Sequence, residues 1–186
     1  MPMTENMPNL IREITQTLTA VSTKELEDLA EKILASKRIF TAGAGRSGLM
    51  MKAFAMRLMH LGIPVYVIGE TTTPGITAGD LLIIGSGSGE TGSLVVIATK
   101  ALSAEAGLAA ITAIPASTLG KKAGVVVVIP APTPKSAQSG QYVSMQPMGS
   151  LFEQCLLLTL DVLVLRLMEK LSSCSDTMFT RHANLE

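Results

Sequence analysis

Apolar residues along this chain follow two alternating spacings, and the alternation predicts the architecture. Residues 9–20 and 23–35 carry apolar side chains three and four apart, the spacing of amphipathic helices. The second begins after Ser22-Thr23, with Glu25 and Glu27 in its first turn. Five short apolar runs follow, at 38–42, 65–68, 81–84, 108–112 and 125–129. They show little alternation, as strands buried on both faces should. Helical spacing fills the gaps: from the Gly43–Gly48 turn to Leu61, where Gly62 and Pro64 end it, then after Thr91, then at 117–122. The result is an α/β fold, a five-stranded parallel sheet flanked by helices on both faces.

Beyond the last strand the pattern changes. Residues 130–147 are rich in Pro, Ser, Gln and Gly, and form either a linker or a loop that closes over a ligand. Residues 148–171 are apolar on nearly every side, yet Glu153, Asp161 and Arg166 interrupt them. No uncharged stretch approaches the roughly 20 residues that a membrane span requires. Such a helix is covered by its own domain and by a neighbour, which predicts a homo-oligomer. The tail, 175–186, carries His182 and forms a short helix or an extension.

Composition narrows the function classes. The chain has 186 residues, enough for a single domain with a sizeable core. It comprises N-terminal helices at 5–35, an α/β core at 37–130, the loop, the long helix and the tail. Formal net charge is zero, so nothing draws the protein to nucleic acid. Trp is absent and aromatics are scarce, which argues against stacking platforms. The cysteines, Cys155 and Cys174, form no CxxC pair, so no zinc-ribbon site is expected. Unclustered cysteines and a polar, non-apolar start fit a cytoplasmic protein.

The chemistry concentrates in 81–91, Leu-Leu-Ile-Ile-Gly-Ser-Gly-Ser-Gly-Glu-Thr. A strand that breaks into a Gly/Ser loop at the head of a helix aims backbone N–H groups and a partial positive charge at one point. Ser86, Ser88 and Thr91 add hydroxyls, and Gly87 and Gly89 let the backbone turn. No Gly-Lys-Ser/Thr ending is present, so the loop is no nucleotide P-loop. A small phosphorylated metabolite fits; the plainer alternative is a tight turn with serine caps. Gly43-x-Gly45 echoes Gly85-x-Gly87, and both loops leave strand ends where ligands bind in open parallel sheets. Gly43-x-Gly45-x-x-Gly48 also fits a dinucleotide fingerprint with Glu70 as the ribose acid, but that reading leaves the second loop without a role. Ser150-x-x-Glu153 has capping-box spacing, which would make Glu153 structural. A carboxylate at the head of a buried helix is equally placed to act as a general base. The spacing leaves both open.

Gly-Ala-Gly-Arg-Ser-Gly at 43–48, Ala-Met-Arg-Leu-Met-His-Leu-Gly at 55–62 and Gly-Ser-Gly-Ser-Gly-Glu-Thr at 85–91 resemble the SIS (sugar isomerase) domain family. Gln-Pro-Met-Gly-Ser-Leu-Phe-Glu at 146–153 and Arg-His-Ala-Asn-Leu-Glu at 181–186 resemble its 6-phospho-3-hexuloisomerase subgroup. The resemblance implies a cofactor-free isomerase, working as a tetramer on a sugar phosphate. It would interconvert D-arabino-3-hexulose 6-phosphate and D-fructose 6-phosphate, a step of formaldehyde fixation through ribulose monophosphate. It further implies that Ser47 and residues 86–91, Glu90 among them, bind substrate, and that Glu153 accepts the proton.

That chemistry assigns further candidates. Shifting a carbonyl from C3 to C2 passes through a 2,3-enediol whose growing oxygen charge needs donors. Arg46 is a candidate donor; its plainer role is to pair with a surface acid. His60 and His182, the two histidines, are candidates to move a proton between the oxygens. His60 sits at a helix end, where it can also cap or pack, and His182 would act from a neighbouring subunit. Another SIS-type aldose-ketose isomerase and a non-catalytic sugar-phosphate sensor are the competing classes. A sensor would carry a DNA-binding module, and this chain has no basic surplus for one.

Overall fold

A computed structural model describes residues 3–132 and 144–185. In chain order the elements are α1 (Met3–Thr19), α2 (Thr23–Leu34), β1 (Ile39–Gly43), α3 (Gly45–His60), β2 (Val65–Val67), β3 (Leu81–Gly85), α4 (Gly92–Ser103), β4 (Gly107–Thr112), α5 (Thr118–Lys122), β5 (Val125–Val128), α6 (Ser150–Lys170) and α7 (Ser175–Phe179). The five strands make one sheet in the order β2-β1-β3-β4-β5, every pairing parallel. This is the expected sheet.

Side chains alternate across the strands, so odd and even positions build two separate cores. Ile39, Leu81, Ile83, Ala109, Ile111 and Val127 face α2, α3 and α6, meeting Leu29, Met51, Phe54, Phe152, Leu156 and Leu160. Ile14 and Leu18 bring α1 onto the same side. Phe40, Leu82, Ile84, Leu108 and Ala110 face the other way, against Leu94, Ala98 and Ala101 of α4 and Leu119 of α5. Each large side chain buried this way contributes about 1.5–3 kcal/mol. The first layer is thick and the second thin.

Helix ends follow their local chemistry. Ser22 caps α2, its hydroxyl accepting from the Glu25 N–H at 3.3 Å. Helix α1 begins several residues before its apolar stripe, because polar residues extend a helix without helping to pack it. Helix α6 starts two residues later than its hydrophobicity suggests. Met148 adopts φ 55°, a left-handed conformation that ends helical continuity, and Gly149 becomes the N-cap. Residues 133–143, the centre of the expected 130–147 loop, lie outside the described residues. The tail forms the five-residue α7 and continues past it. Among the described residues no helix is long and apolar enough to cross a membrane.

The amino-terminal edge of the sheet is clamped by charge. Arg38, just before β1, donates to Asp80, just before β3, through Nε at 3.0 Å and Nη2 at 2.6 Å. The Asp80 side chain is 1% exposed and also accepts from the Thr77 N–H and hydroxyl. The Arg38 guanidinium and the Thr77 donors hold its carboxyl below the usual carboxylate range. Its contribution to stability is therefore present above the ordinary Asp value and lost as pH falls through the lowered one. Arg38→Ala strands a buried carboxylate and should cost about 3 kcal/mol in urea denaturation. Because the clamp lies at the edge opposite the Gly/Ser loop, kcat at 25 °C should stay near that of the parent; a large loss would mean that this edge shapes the site.

Candidate active site

The strand order reverses direction of growth between β1 and β3, and the two glycine loops leave the sheet on either side of that point. Gly43 and Gly85 are register partners, so both loops start at the same level. Crevices at such switch points, beyond the strands' carboxyl ends, are where open α/β sheets hold ligands. Gly43 and Gly48 let α3 begin in contact with its own strand. A Cβ on Gly48 would fall 2.7 Å from the Gly43 carbonyl oxygen, so neither position accepts a side chain without displacement.

The 85–91 loop folds on itself. The Ser86 hydroxyl accepts from the Gly89 N–H at 3.2 Å and lies 3.4 Å from the Thr91 hydroxyl. The Ser88 hydroxyl accepts from the Glu90 N–H at 3.2 Å. Gly89 has φ 62°, and a Cβ there would lie 2.0 Å from Ser117 Oγ. Thr91 is the N-cap of α4 without a side-chain cap bond, and Ala44 is likewise for α3. Among the described residues no partner takes the N–H of Gly87, Ser88, Gly92 or Ser93. These donors, with the dipoles of two helices, suit an oxyanion such as a phosphate group.

Helix α6 brings a carboxylate to this edge. Glu153, in the first turn of α6, forms an ion pair with Arg46, in the first turn of α3. The Glu153 side chain is 17% exposed and that of Arg46 61% exposed. Leu156, one turn after Glu153, packs so closely that a Cβ on Gly85 would meet its Cδ2 at 3.0 Å. Glu153 thus stands one turn above the floor between the two loops. The capping-box alternative is not formed: Gly149 is the N-cap, Ser150 is the first helical residue, and the Glu153 carboxylate turns to Arg46. Ser47 lies half-buried in the same first turn of α3.

A family model described as the SIS domain matches residues 32–158. The chain belongs to the SIS domain family. Among SIS relatives, the 3-hexulose-6-phosphate isomerase of Bacillus subtilis is 51% identical over 186 residues, covering 100% of each chain. The enzyme of that name from Mycobacterium gastri is 42% identical, covering 99% of this chain and 92% of its own. A solved structure from Methanococcus jannaschii, for which 3-hexulose-6-phosphate isomerase is the inferred function, superposes with a TM-score of 0.85. It is 33% identical and covers 98% of this chain and 99% of that one.

Other sequence candidates sit apart from the SIS crevice or point away from it. Glu90 Oε1 accepts from the Thr118 N–H at 2.6 Å at the head of α5, which holds its carboxyl below the usual range. Glu70 pairs with Lys52 at 2.8 Å, so the acid of the dinucleotide reading is engaged on α3. His60 ends α3, about 22 Å along the helix from Gly45. It is 3% exposed and stacks on His182 at 5.4 Å, with Phe179 beyond at 5.8 Å. Burial, then Arg57 and His182, push its pKa down. A guanidinium cannot accept a hydrogen bond, so the 3.3 Å contact from Arg57 fixes His60 Nδ1 as acceptor. These rings border a cavity of about 420 Å³ together with Arg57, Asp161 and Met168. Within one chain the histidines and the Arg46–Glu153 pair occupy opposite ends of α3.

Sequence spacing gives no sign of the Arg46–Glu153 contact, because 107 residues separate the partners. Cys155 is buried among core residues, and burial pushes its thiol up to about 11, which leaves it inert at neutral pH. Among the described residues no group of three or more His, Cys, Asp or Glu is arranged to hold a metal ion. The loop geometry makes Gly89→Ala a direct test. A left-handed φ and the Ser117 overlap should together cost about 2 kcal/mol in thermal or urea denaturation. They should also raise KM for a sugar phosphate, whereas an unchanged KM would separate the loop from binding.

Proposed function

We propose that this chain interconverts D-arabino-3-hexulose 6-phosphate and D-fructose 6-phosphate, with Glu153 as the proton-transfer group. The observation that carries the reading is the Arg46–Glu153 pair above the two uncapped loops at the switch point. Full-length similarity to isomerases of that name supports the substrate. The phosphate takes the N–H groups of Gly87, Ser88, Gly92 and Ser93 and the hydroxyls of Ser86, Ser88 and Thr91, with Ser47 on the α3 side, while the N–H groups of Ser86 and Gly89 hold the loop's own shape. Glu90 shapes this loop from behind through Thr118.

The residues perform the shift as follows. The Glu153 carboxylate takes the C2 proton; the electron pair of the C–H bond forms C2=C3, and the C3 carbonyl becomes enolate oxygen. Arg46 swings its guanidinium from Glu153 to that oxygen, where charge has developed. The same carboxyl, now protonated, returns the proton to C3 as the C2=C3 electron pair moves to the new C3–H bond. The C2 hydroxyl becomes the carbonyl by giving up its proton, which ends on the enolate oxygen at C3 and makes it the hydroxyl. One group on one face of the enediol serves both transfers, and no external oxidant is consumed. In metabolism this is a step of formaldehyde fixation, in the cytoplasm.

Assembly completes the reading. Leu158, Val162 and Leu165 form an exposed apolar stripe on α6, and Leu49 and Met56 one on α3. These faces bury against further copies in a tetramer, and His182 of one copy serves the crevice of the next, moving the proton between O2 and O3. His60 supports the ring of His182 from beneath.

Glu153→Gln keeps the size and removes the base. Turnover should fall by roughly two to four orders of magnitude, while substrate still binds. Exchange of the C2 proton with solvent deuterium should stop. Near-normal turnover and exchange would place the base elsewhere. Assembly has its own check: sedimentation at micromolar concentration should show an oligomer. Mixing dissociated and reassembled Glu153→Gln with His182→Ala chains should restore turnover that neither variant has alone. A stable active monomer, or no recovery in the hybrids, would remove the cross-subunit role.

A further inference from the structure

Helix α1 lies outside the segment that the SIS model matches, yet it carries one of the two buried acids among the described residues. Glu13 is 7% exposed and sits on the face that packs toward α6. Its carboxylate grips the strap that enters α6. Oε2 accepts from the Ser144 hydroxyl at 2.7 Å and from Gln146 Nε2 at 3.2 Å, and Oε1 accepts from the Met145 N–H at 2.8 Å. The Ser144 hydroxyl in turn accepts from the Gln146 N–H at 3.0 Å, which closes the strap into a turn. One helical turn later, Thr17 is buried on the same face of α1.

Little slack remains between that clasp and the carboxylate proposed as base. After Gln146 come Pro147, the left-handed Met148 and the N-cap Gly149. The Ser150 N–H donates to the Pro147 carbonyl at 3.1 Å and the Glu153 N–H to the Gly149 carbonyl at 3.0 Å. Met148 is 83% exposed, so its unfavourable backbone is not held by packing of its own side chain. Something on either side must hold it, and the clasp does so on the N-terminal side. A carboxylate buried against several donors is fixed in place, because leaving any donor unpaired costs more than the bond itself contributes.

We infer that Glu13 is a positioning residue: through the 144–146 strap it sets the height and rotation of the first turn of α6, and so the aim of Glu153. The inference rests on Glu153 being the base. A carboxylate displaced by even one ångström from a reacting proton loses much of its catalytic effect, without any change in what binds the phosphate. Helix α1 is then part of the catalytic apparatus of this chain, acting through the 144–146 strap.

Glu13→Gln is the test, since its amide presents a donor to strap donors while keeping the volume. Full-length Glu13→Gln, Glu153→Gln and the double variant are compared by steady-state kinetics with the 3-hexulose phosphate. Glu13→Gln should lower kcat by about ten- to a hundredfold and leave KM within about twofold. In the Glu153→Gln background it should cause no further loss, because the group it aims is gone. A loss that multiplies in the double variant, a KM effect with kcat kept, or unchanged kinetics beside an inactive Glu153→Gln would each overturn the positioning role. Retained turnover in Glu153→Gln alone would instead overturn the base assignment, and this inference with it. Should Glu13→Gln fail to fold, Ser144→Ala removes one bond of the clasp from the other side. It should lower kcat in the same direction by a smaller factor, and no change there would count against the proposal.

Discussion

Everything at the functional edge depends on Gly43 and Gly85 standing side by side in register where the strand order turns. Parallel strands require crossovers, and a right-handed crossover on each side of β1 sends the chain to opposite faces. The first loop therefore opens α3 into the thick layer and the second opens α4 into the thin one. Two helix heads meet over one crevice only because neither loop contains a side chain large enough to separate them. A Cβ at Gly85 would meet Met51 Sδ at 2.7 Å, so the floor of the crevice is as tightly fixed as its rim.

The thick layer explains how a residue from the end of the chain reaches a loop near its beginning. Helices α3 and α6 pack side by side and start at the same edge, which brings Arg46 and Glu153 together. Buried leucines hold α6 along the sheet, while its entry is set by polar contacts at 144–150. Apolar packing fixes the helix as a rod; hydrogen bonds fix its first turn. The sheet divides its labour in the same sense. The Arg38–Asp80 clamp secures the amino-terminal edge, and at the carboxyl-terminal edge the N–H groups of Gly87, Ser88, Gly92 and Ser93 have no partner among the described residues.

Much of this was legible in the residues. Unalternated apolar runs marked all five strands, and the Gly/Ser loop after β3 marked the crevice, because backbone geometry and helix heads leave local signatures. Local signals ended there. Ser150-x-x-Glu153 imitates a capping box, but Gly149 takes the N-cap and the Glu153 carboxylate turns to Arg46. Glu90 looks like part of a ligand cradle, and the short α5 takes its carboxylate instead. Glu13 reads as a polar position of an amphipathic helix, and only the return of residue 144 to its side makes it a buried anchor. Each of these depends on a contact between segments distant in sequence, which spacing does not encode.

Three longer helices, α3, α4 and α6, begin at one edge, and each head carries about half a positive charge. Heads this close repel one another, with one carboxylate, Glu153, set among them to offset the excess. A dianionic phosphate bound as proposed places further negative charge where these heads meet. On the proposed reading, metabolite occupancy is a folding variable as well as a catalytic one. A cell rich in the sugar phosphate keeps the protein in its more durable state, by the mass action of any ligand that binds only the native form.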